Sequence, residues 1–383
     1  MKDLRDACQR EDGVLRAFLR ELVLAESPSH DRPALDRCAD VLVQRFESDG
    51  AVVGRRHAGA TADHIVATWP GHGSRVLLMG HLDTVWPSGQ LQRQPLEERD
   101  GKLFGPGVYD MKAGLAIGAT AVRVLQDSRP PEQRPAVTFL VTSDEEVGSA
   151  TSRTLIEDLA RQHDAVLVLE PAIPGGAVKT ARKGVGEFGL VLRGISSHAG
   201  ADPGAGASAI HELARQILAL EALADPANGL TVNVGVIDGG SRSNVVAEEA
   251  RALVDVRVSR PGDAPRIEAA IRALRANDPR VTMQISGGVK RPPMARGAGT
   301  VALFEMARAV AAEYGWELGE GSTGGASDGN FTAAIGVPTL DGLGAIGDGA
   351  HALHEHVIVD ALAPRAALVA GLLARMGQNG LAR

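Results

Sequence analysis

Residues 137–148 read VTFLVTSDEEVG, an apolar run that passes directly into the adjacent carboxylates Glu145 and Glu146. The run is short and contains β-branched and aromatic residues, so it predicts a buried strand. Of two adjacent carboxylates, one can hold a metal ion while the other moves protons. The stretch therefore predicts a strand that leads into a site for metal-assisted hydrolysis.

Two further apolar runs end in polar side chains in the same way. Residues 76–79 (VLLM) precede His81 and Asp83, and residues 165–169 (AVLVL) precede Glu170. In open α/β sheets, ligands bind outside the carboxyl ends of the strands. We therefore expect imidazole and carboxylate groups to gather at one edge of a sheet.

The length of the chain, 383 residues, exceeds the roughly 250 to 300 residues that one hydrophobic core usually serves, so two domains are expected. Two amphipathic helices are predicted before the first buried strand, and the later apolar runs alternate with helical patterns, which is typical of a layered α/β domain. After Gly176 the strands alternate apolar with polar residues, which indicates an antiparallel sheet with helices on one face. Strong helical patterns return at 299–314 and 358–376.

We predict an α/β fold from this pattern. We expect a mixed sheet with helices on both faces to form a discontinuous domain of residues 1–179 and 292–383, and an α+β domain to be inserted at residues 180–291. The glycine pairs Gly175-Gly176 and Gly287-Gly288 near the junctions favour a hinge motion between the two domains.

The composition excludes several classes of protein. A net charge of −7 and an aromatic content of 3% argue against nucleic-acid binding. Residues 1–8 mix acids and bases, which predicts neither a secretory signal nor a membrane span and favours a cytoplasmic protein. The segment after the first predicted strand is neither a Gly-x-Gly-x-x-Gly nor a Walker loop, so nucleotide binding is not indicated. Cys8 and Cys38 have no close cysteine partner in sequence, so a metal would use imidazoles and carboxylates.

Asp110 lies in FGPGVYDMKAG (residues 104–114), where a glycine- and proline-rich turn precedes a helix. Its two oxygens suit a bridge between two cations about 3.5 to 4 Å apart, and the alternative is a simple helix N-cap. Asp83 is placed to orient His81, as carboxylates commonly do for metal-binding imidazoles, and the alternative is a hydrogen-bonded loop. His351, His354 and His356 crowd residues 349–356, and their spacing does not choose a ligand among them.

Together these motifs resemble the M20 family of metallopeptidases, which contains glutamate carboxypeptidase, succinyl-diaminopimelate desuccinylase, acetylornithine deacetylase and aminoacylases. The resemblance extends from about residue 80 to 355, in family order. Its markers are GHLDTV (80–85), GPGVYDMKAG (105–114), SDEEVGS (143–149), LEP (169–171), SSHAG (196–200), SNVV (243–246), VDVR (254–257), GGASDG (324–329) and GAH (349–351).

The resemblance implies a centre with two divalent metal ions in each subunit. Its terminal ligands would be His81 and Glu170 at one ion and Glu146 and His351 at the other, with Asp110 bridging the two. Glu145 would be the general base. Zinc is favoured because the ligands are imidazoles and carboxylates without thiolates, although cobalt and manganese accept similar donors.

The resemblance also implies that the discontinuous domain is a di-metal hydrolase domain and that the inserted domain is a lid and dimerisation domain. It implies a homodimer in which His198 reaches the active site of the other subunit and stabilises an oxyanion. The alternative is a turn histidine that caps Gly200. Asn244 and Arg257 match positions that face the substrate, and an arginine fork suits a terminal carboxylate. For Arg257 the alternative is an ion pair within its strand, for example with Asp255. Gly325 belongs to a loop whose backbone N–H groups are suited to line a pocket.

The function that these features favour is cleavage of an amide bond in a small peptide or N-acyl amino acid with a free C-terminal carboxylate, as in glutamate carboxypeptidase. The first alternative is a deacylase of the desuccinylase or acetylornithine type. The second, from another class, is a noncatalytic metal-binding protein on the same fold.

Overall fold

The computed structural model of the protein describes residues 1–59 and 61–379. The chain divides into two compact units. The larger unit contains Met1–Ala181, Arg296–Thr323 and the chain from Ser327 onward, and the smaller unit contains Arg182–Ala295 and Gly324–Ala326. For comparison, the inserted domain is predicted from the sequence at residues 180–291.

A six-stranded mixed sheet forms the centre of the larger unit. Its three central strands lie side by side and run parallel, and the first two pairings at one edge are antiparallel. The strands follow the order Val52–Arg56, His64–Trp69, Ala136–Thr142, Arg75–His81, Ala165–Val168 and Thr339–Leu340.

Helices cover both faces of this sheet. In the central strand, Val76 and Leu78 belong to one apolar cluster and Leu77 and Met79 to another, because successive side chains of a strand point to opposite faces. The first face is covered by Lys2–Arg10, Asp12–Leu24, Arg32–Ser48, Ala113–Ser128, Ala298–Glu313 and Leu362–Asn379, and the second by Arg153–Arg161 and Gly329–Ala334. The predicted mixed α/β architecture is confirmed.

Glycine allows the helix Ala113–Ser128 to lie directly against the end of a central strand. A Cβ atom at Gly114 would lie 2.0 Å from the carbonyl oxygen of Leu169, so no larger residue fits there without displacing the backbone. This close packing fixes the helix beside Glu170, the next residue after Leu169.

The smaller unit contains a four-stranded antiparallel sheet. Its strands follow the order Thr231–Gly239, Glu249–Val258, Gly184–Arg193 and Thr282–Arg291. Phe188, Leu190 and Leu192 alternate along one strand and enter a single apolar cluster. The helices Ala209–Glu221 and Asp263–Arg272 contribute to that cluster and cover the same face of the sheet.

The structure corrects two expectations. Two antiparallel strands, Val52–Arg56 and His64–Trp69, precede the strand Arg75–His81, which the sequence pattern predicted as the first buried strand after two helices. Gly287-Gly288 lies inside the paired strand Thr282–Arg291, so the predicted hinge at this pair was wrong. Gly287 has a φ of +85° and its α-carbon lies so close to the neighbouring strand that a Cβ atom would meet a backbone oxygen at 2.1 Å. Glycine at position 287 therefore allows the two strands to pair closely.

Two small sheets and several short helical turns complete the described structure. The small sheets contain Gly347–Asp348, His356–Ile358, Lys102–Phe104 and Glu97–Arg99 in one case, and Val178–Arg182 with Glu320–Thr323 in the other. The turns are Gln90–Gln92, Val108–Lys112, Pro131–Gln133, Glu145–Val147, Pro226–Asn228 and Val359–Ala361. Among the described residues, none of the helices combines the length and the apolar character needed to span a bilayer.

Candidate metal centre

Three neighbouring parallel strands of the larger unit bring predicted ligands to one edge of the sheet. His81 is the last residue of its strand, and Glu170 follows the strand Ala165–Val168 by two residues. Glu145 and Glu146 lie in the turn that follows the strand Ala136–Thr142. Because the three strands are adjacent and parallel, their carboxyl ends meet at the same edge.

Two loops bring Asp110 and His351 to the same place. Asp110 lies in the turn Val108–Lys112, and its peptide bond to Met111 is cis. His351 has a φ of +62°, a left-handed backbone conformation that residues other than glycine seldom adopt. The two loops lie beside each other because the strands Lys102–Phe104 and His356–Ile358 pair antiparallel.

Asp110 faces two imidazoles, one with each carboxylate oxygen. Its Oδ1 lies 3.3 Å from Nε2 of His81, and its Oδ2 lies 3.3 Å from Nε2 of His351. The same nitrogen of His81 is 3.4 Å from Oε1 of Glu170, and that of His351 is 3.3 Å from Oε2 of Glu146. The five side chains therefore form two sets that share Asp110.

This donor set fits metal ions better than it fits a hydrogen-bond network. Bonds of about 2.0 to 2.1 Å to a tetrahedral zinc ion place neighbouring ligand atoms about 3.3 Å apart, which matches all four distances. Hydrogen bonds between nitrogen and oxygen are usually shorter, about 2.7 to 3.2 Å. Among the described residues, the buried atoms Nε2 of His81, Oδ1 of Asp110 and Oε1 of Glu146 find no hydrogen-bond partner. Ligand atoms of these three residues lie within 4.8 Å of one another.

The imidazoles and carboxylates shift the pKa values of one another. Burial lowers the pKa of His81, but its contacts with Asp110, Asp83 and Glu170 outweigh this effect and raise the pKa well above its ordinary value. Contacts with Asp110 and Glu146 raise the pKa of His351 to about 10. Burial opposes ionisation of Asp110, yet the two imidazoles bring its pKa below the usual range. A metal-free centre therefore holds protons on both imidazoles at neutral pH.

Asp83 connects the two strand ends that carry His81 and the paired glutamates. Nδ1 of His81 lies 2.9 Å from the backbone oxygen of Asp83 and 3.5 Å from its carboxylate, so the nearer acceptor is the main chain. The carboxylate accepts the backbone N–H groups of Glu145 and Glu146, both at 3.1 Å. Asp83 thus orients the imidazole through its carbonyl and the glutamate turn through its side chain.

Glu145 is buried beside the cluster, and its charge contributes to the raised pKa of His81. The turn that carries it is also held from the other side by Asp328, which accepts hydrogen bonds from the hydroxyls of Thr142 and Ser149. From the sequence, the loop of Asp328 was expected to line a pocket with its backbone. The structure shows that its carboxylate anchors the turn.

The structure distinguishes the three clustered histidines. His351 alone among them faces Asp110 and Glu146. The ring of His356 is buried against Phe104, with ring centroids 5.1 Å apart, and its Nδ1 lies 2.9 Å from the backbone oxygen of His354. His354 is exposed.

A cavity of about 480 Å³ opens beside Glu146 in the larger unit. Its walls include the apolar side chains of Val85, Trp86 and Val147, and none of the lining residues that the structure describes is a lysine or an arginine. Such a wall suits an uncharged group better than a carboxylate.

His198 and Asn244 lie on adjacent segments of the smaller unit. The backbone N–H of Ala199 donates to the backbone oxygen of Asn244 at 3.0 Å. Nδ1 of His198 accepts the N–H groups of Gly200 and Ala201, at 3.2 and 3.0 Å, so the ring proton of the neutral imidazole lies on Nε2. His198 therefore caps the turn, as the alternative interpretation predicted. Its Nε2–H remains an exposed donor.

Arg257 and Gly325, two of the residues predicted to bind substrate, also belong to the smaller unit. The guanidinium of Arg257 pairs with Asp255, Nη2 to Oδ2 at 2.8 Å, which is the ion pair named above as its alternative. Its Nη1 donates to the backbone oxygen of Gly324 at 3.4 Å. The backbone oxygen of the exposed Gly325 accepts from Arg182. Substrate binding by these residues stays a prediction.

Glu355 is a buried acid at the centre that is not among the predicted site residues. Burial raises its pKa to about 7, although four N–H groups of Gly107, Tyr109, Asp110 and Trp86 donate to it. The sequence signal was weak, because a single glutamate before a strand is normally exposed.

Comparison with known proteins identifies the family. The protein-family model described as Peptidase family M20/M25/M40 matches residues 77–375. This span contains all five clustered side chains and Glu145. The chain belongs to the M20 peptidase family. It is therefore an enzyme of a metal-dependent family of hydrolases, and the resemblance predicted from the motifs is confirmed.

Two relatives of this M20 protein represent two branches of the family. Carboxypeptidase G2 of Pseudomonas sp. (strain RS-16) is 31% identical over 385 residues, covering 98% of this chain and 92% of that protein. Succinyl-diaminopimelate desuccinylase of Azoarcus sp. (strain BH72) is 31% identical over 352 residues, covering 85% of this chain and 89% of that protein. The carboxypeptidase match extends over more of the chain.

Solved structures agree with the fold. The M20 family metallo-carboxypeptidase Sso-CP2 from Sulfolobus solfataricus has a TM-score of 0.76 at 16% identity, covering 94% of this chain and 98% of that chain. Aminopeptidase PepT from Bacillus cereus ATCC 10987 has a TM-score of 0.80 at 22% identity, covering 97% of this chain and 98% of that chain. At these identities the likeness concerns the fold.

We predict that metal binding releases protons from this centre. The raised pKa values of His81 and His351 mean that both imidazoles are protonated near neutral pH, whereas a metal ligand must be neutral. Calorimetric titration with zinc in buffers of different ionisation enthalpy should detect release of about two protons, and the apparent affinity should increase with pH up to the pKa of His351, about 10. Heats that do not depend on the buffer, together with a pH-independent affinity, would contradict the assignment.

Proposed function

We propose that this M20 hydrolase is a zinc-dependent amidohydrolase that cleaves a peptidyl or N-acyl amino acid with a free C-terminal carboxylate. The observation that carries the proposal is Asp110, which faces two imidazole–carboxylate sets while Glu145 lies buried beside them. The longer match to carboxypeptidase G2 supports the carboxypeptidase branch.

We assign five side chains to two divalent ions. His81 and Glu170 would hold one ion, Glu146 and His351 the other, and Asp110 both, in agreement with the two sets of distances. Zinc suits this set of imidazoles and carboxylates, and cobalt or manganese would accept the same donors. When bound, such ions lower the pKa of a water molecule and polarise an amide carbonyl.

Glu145 would move the proton in the reaction. Its carboxylate accepts a proton from the attacking water and delivers it to the amide nitrogen, so that the C–N bond breaks to give a carboxylic acid and an amine. Asp83 and Asp328 hold the turn that carries Glu145, which keeps the base fixed at the sheet edge. This route requires no serine or cysteine nucleophile.

The two halves of the substrate would meet different surfaces. The cavity beside Glu146 is lined in part by apolar side chains, and none of its described lining residues is a lysine or an arginine, so it suits the acyl or N-terminal half. Arg257, Asn244 and Gly325 remain our choice for the half with the free carboxylate. A carboxylate that replaces Asp255 at the guanidinium of Arg257 would form paired, charge-assisted hydrogen bonds.

We further propose that the protein is a homodimer in which the inserted domain serves as lid and dimerisation surface. The Nε2–H donor of His198 would stabilise the oxyanion at the centre of the other subunit. A cytoplasmic location likewise remains a proposal.

The principal alternative is a deacylase that selects its substrate by the acyl group. The 31% identity to a succinyl-diaminopimelate desuccinylase favours it as the second candidate. The noncatalytic metal-binding protein named from the sequence is not retained, because the chain belongs to a family of hydrolases and the complete set of acids and imidazoles lies together in the larger unit.

Replacement of the proposed base tests the mechanism. Glu145→Ala should lower kcat by about 10² to 10⁴-fold while two metal ions stay bound, because Glu145 is not among the five ligands. Elemental analysis and steady-state kinetics on the same preparation provide the measurement, with exposed Glu317→Ala as the matched control. Activity within a few-fold of the unaltered protein at full metal content would remove this assignment.

A panel of dipeptides and N-acyl amino acids, varied in one half at a time, tests the substrate class. We expect kcat/KM to fall about 100-fold or more when the terminal carboxylate is converted to an amide, and less when the acyl group changes. Arg257→Gln should reduce this discrimination, whereas Arg251→Gln on the same strand should not.

Other outcomes of the panel decide between the alternatives. Stronger discrimination at the acyl half would favour the deacylase. Failure to hydrolyse any amide of the panel in the presence of stoichiometric metal would contradict the proposed substrate class.

Shared active sites are tested by mixing two inactive variants, His198→Ala and Glu145→Ala. Random exchange of subunits makes half of the dimers mixed, and each mixed dimer has one complete site, so about a quarter of the activity should return. Size-exclusion chromatography with differently tagged chains verifies the exchange. Mixed dimers that remain inactive would show that His198 does not act across subunits.

A further inference from the structure

Glu355 is a carboxylate with a saturated set of donors and a fully buried side chain. Its Oε1 accepts the backbone N–H groups of Tyr109 and Asp110, at 2.9 and 3.0 Å. Its Oε2 accepts the N–H of Gly107 at 2.9 Å and the indole N–H of Trp86 at 2.8 Å. Its relative exposure is 0%. Each oxygen therefore receives two hydrogen bonds, which fixes the carboxylate in position and orientation.

These hydrogen bonds connect three segments that carry proposed ligands. Three donors belong to the loop that ends at Asp110, and the fourth belongs to the loop that follows His81 and Asp83. Glu355 itself follows His351 in the same short segment, and its backbone N–H donates to the oxygen of Ala352 at 2.9 Å. One side chain thus links segments separated by about 250 residues in sequence.

The loop of Asp110 needs such an acceptor. Its N–H groups at Gly107, Tyr109 and Asp110 converge on the two oxygens of one carboxylate, and buried donors left without an acceptor would destabilise this conformation. A negative charge strengthens all of the hydrogen bonds at once. Asp83 serves the turn of Glu145 and Glu146 in the same manner, so each side of the centre has one buried carboxylate that receives backbone amides.

We propose that Glu355 is a positioning residue that preforms the metal centre. By fixing the loops of Asp110 and His351 relative to each other, it holds both oxygens of Asp110 toward their imidazoles before any metal binds. The metal then meets an arranged set of donors and need not order the loops itself, which increases its affinity. The inference rests on the metal binding that the proposed function includes.

Cobalt binding by the purified protein tests this role. Glu355→Gln keeps the size of the side chain but replaces one acceptor oxygen with an NH₂ group that faces backbone N–H donors. It should lower Co²⁺ affinity about 10 to 100-fold and alter the visible absorption spectrum of the cobalt protein, which reports ligand geometry. Trp86→Phe removes one donor and should give a smaller change in the same direction. Glu317→Gln, at an exposed position, should change neither quantity.

Circular dichroism and thermal unfolding of the metal-free variants separate positioning from loss of the fold. A folded Glu355→Gln protein with unchanged Co²⁺ affinity and spectrum would overturn the inference. If that variant does not fold, an unchanged affinity and spectrum in Trp86→Phe would overturn it. If the unaltered protein binds no Co²⁺, both the proposed metal-dependent function and the inference are removed. If the unaltered protein and the variants bind Co²⁺ equally well, only the inference is removed.

Discussion

Asp110 is the residue on which the centre depends, because its two oxygens face two imidazoles that belong to distant parts of the chain. Without it, His81 with Glu170 and His351 with Glu146 would be two separate pairs. Except for the half-exposed His351 these groups are largely buried and costly to desolvate, and their 3.3 to 3.4 Å separations are long for hydrogen bonds. The arrangement is explained when cations occupy the space between the donors.

The scaffold supplies this arrangement through the main chain as much as through side chains. Adjacent parallel strands bring His81, Glu170 and the glutamate turn to one edge, and a glycine contact fixes the helix after Asp110 against the same edge. Asp83 and Glu355 then accept the backbone N–H groups of the loops that emerge there. Rigid placement of this kind is what preorganised catalytic sites require.

The sequence predicted the parts of this structure that depend on local pattern. Apolar runs located the three central strands, and the rule that parallel strands end at one edge placed His81, Glu145 and Glu170 together. Local patterns do not show which distant segments of the chain pair with each other. The strand Thr282–Arg291 was missed because its two glycines resemble a flexible junction, and their role in close strand pairing is visible only beside the neighbouring strand. Glu355 was missed because its partners lie about 250 residues away.

The most direct test of the shared centre is diffraction from zinc-loaded crystals at wavelengths on either side of the zinc absorption edge. We predict two anomalous peaks about 3.5 to 4 Å apart, each within bonding distance of a different oxygen of Asp110. A single peak, or two peaks of which one lies out of reach of Asp110, would contradict the account.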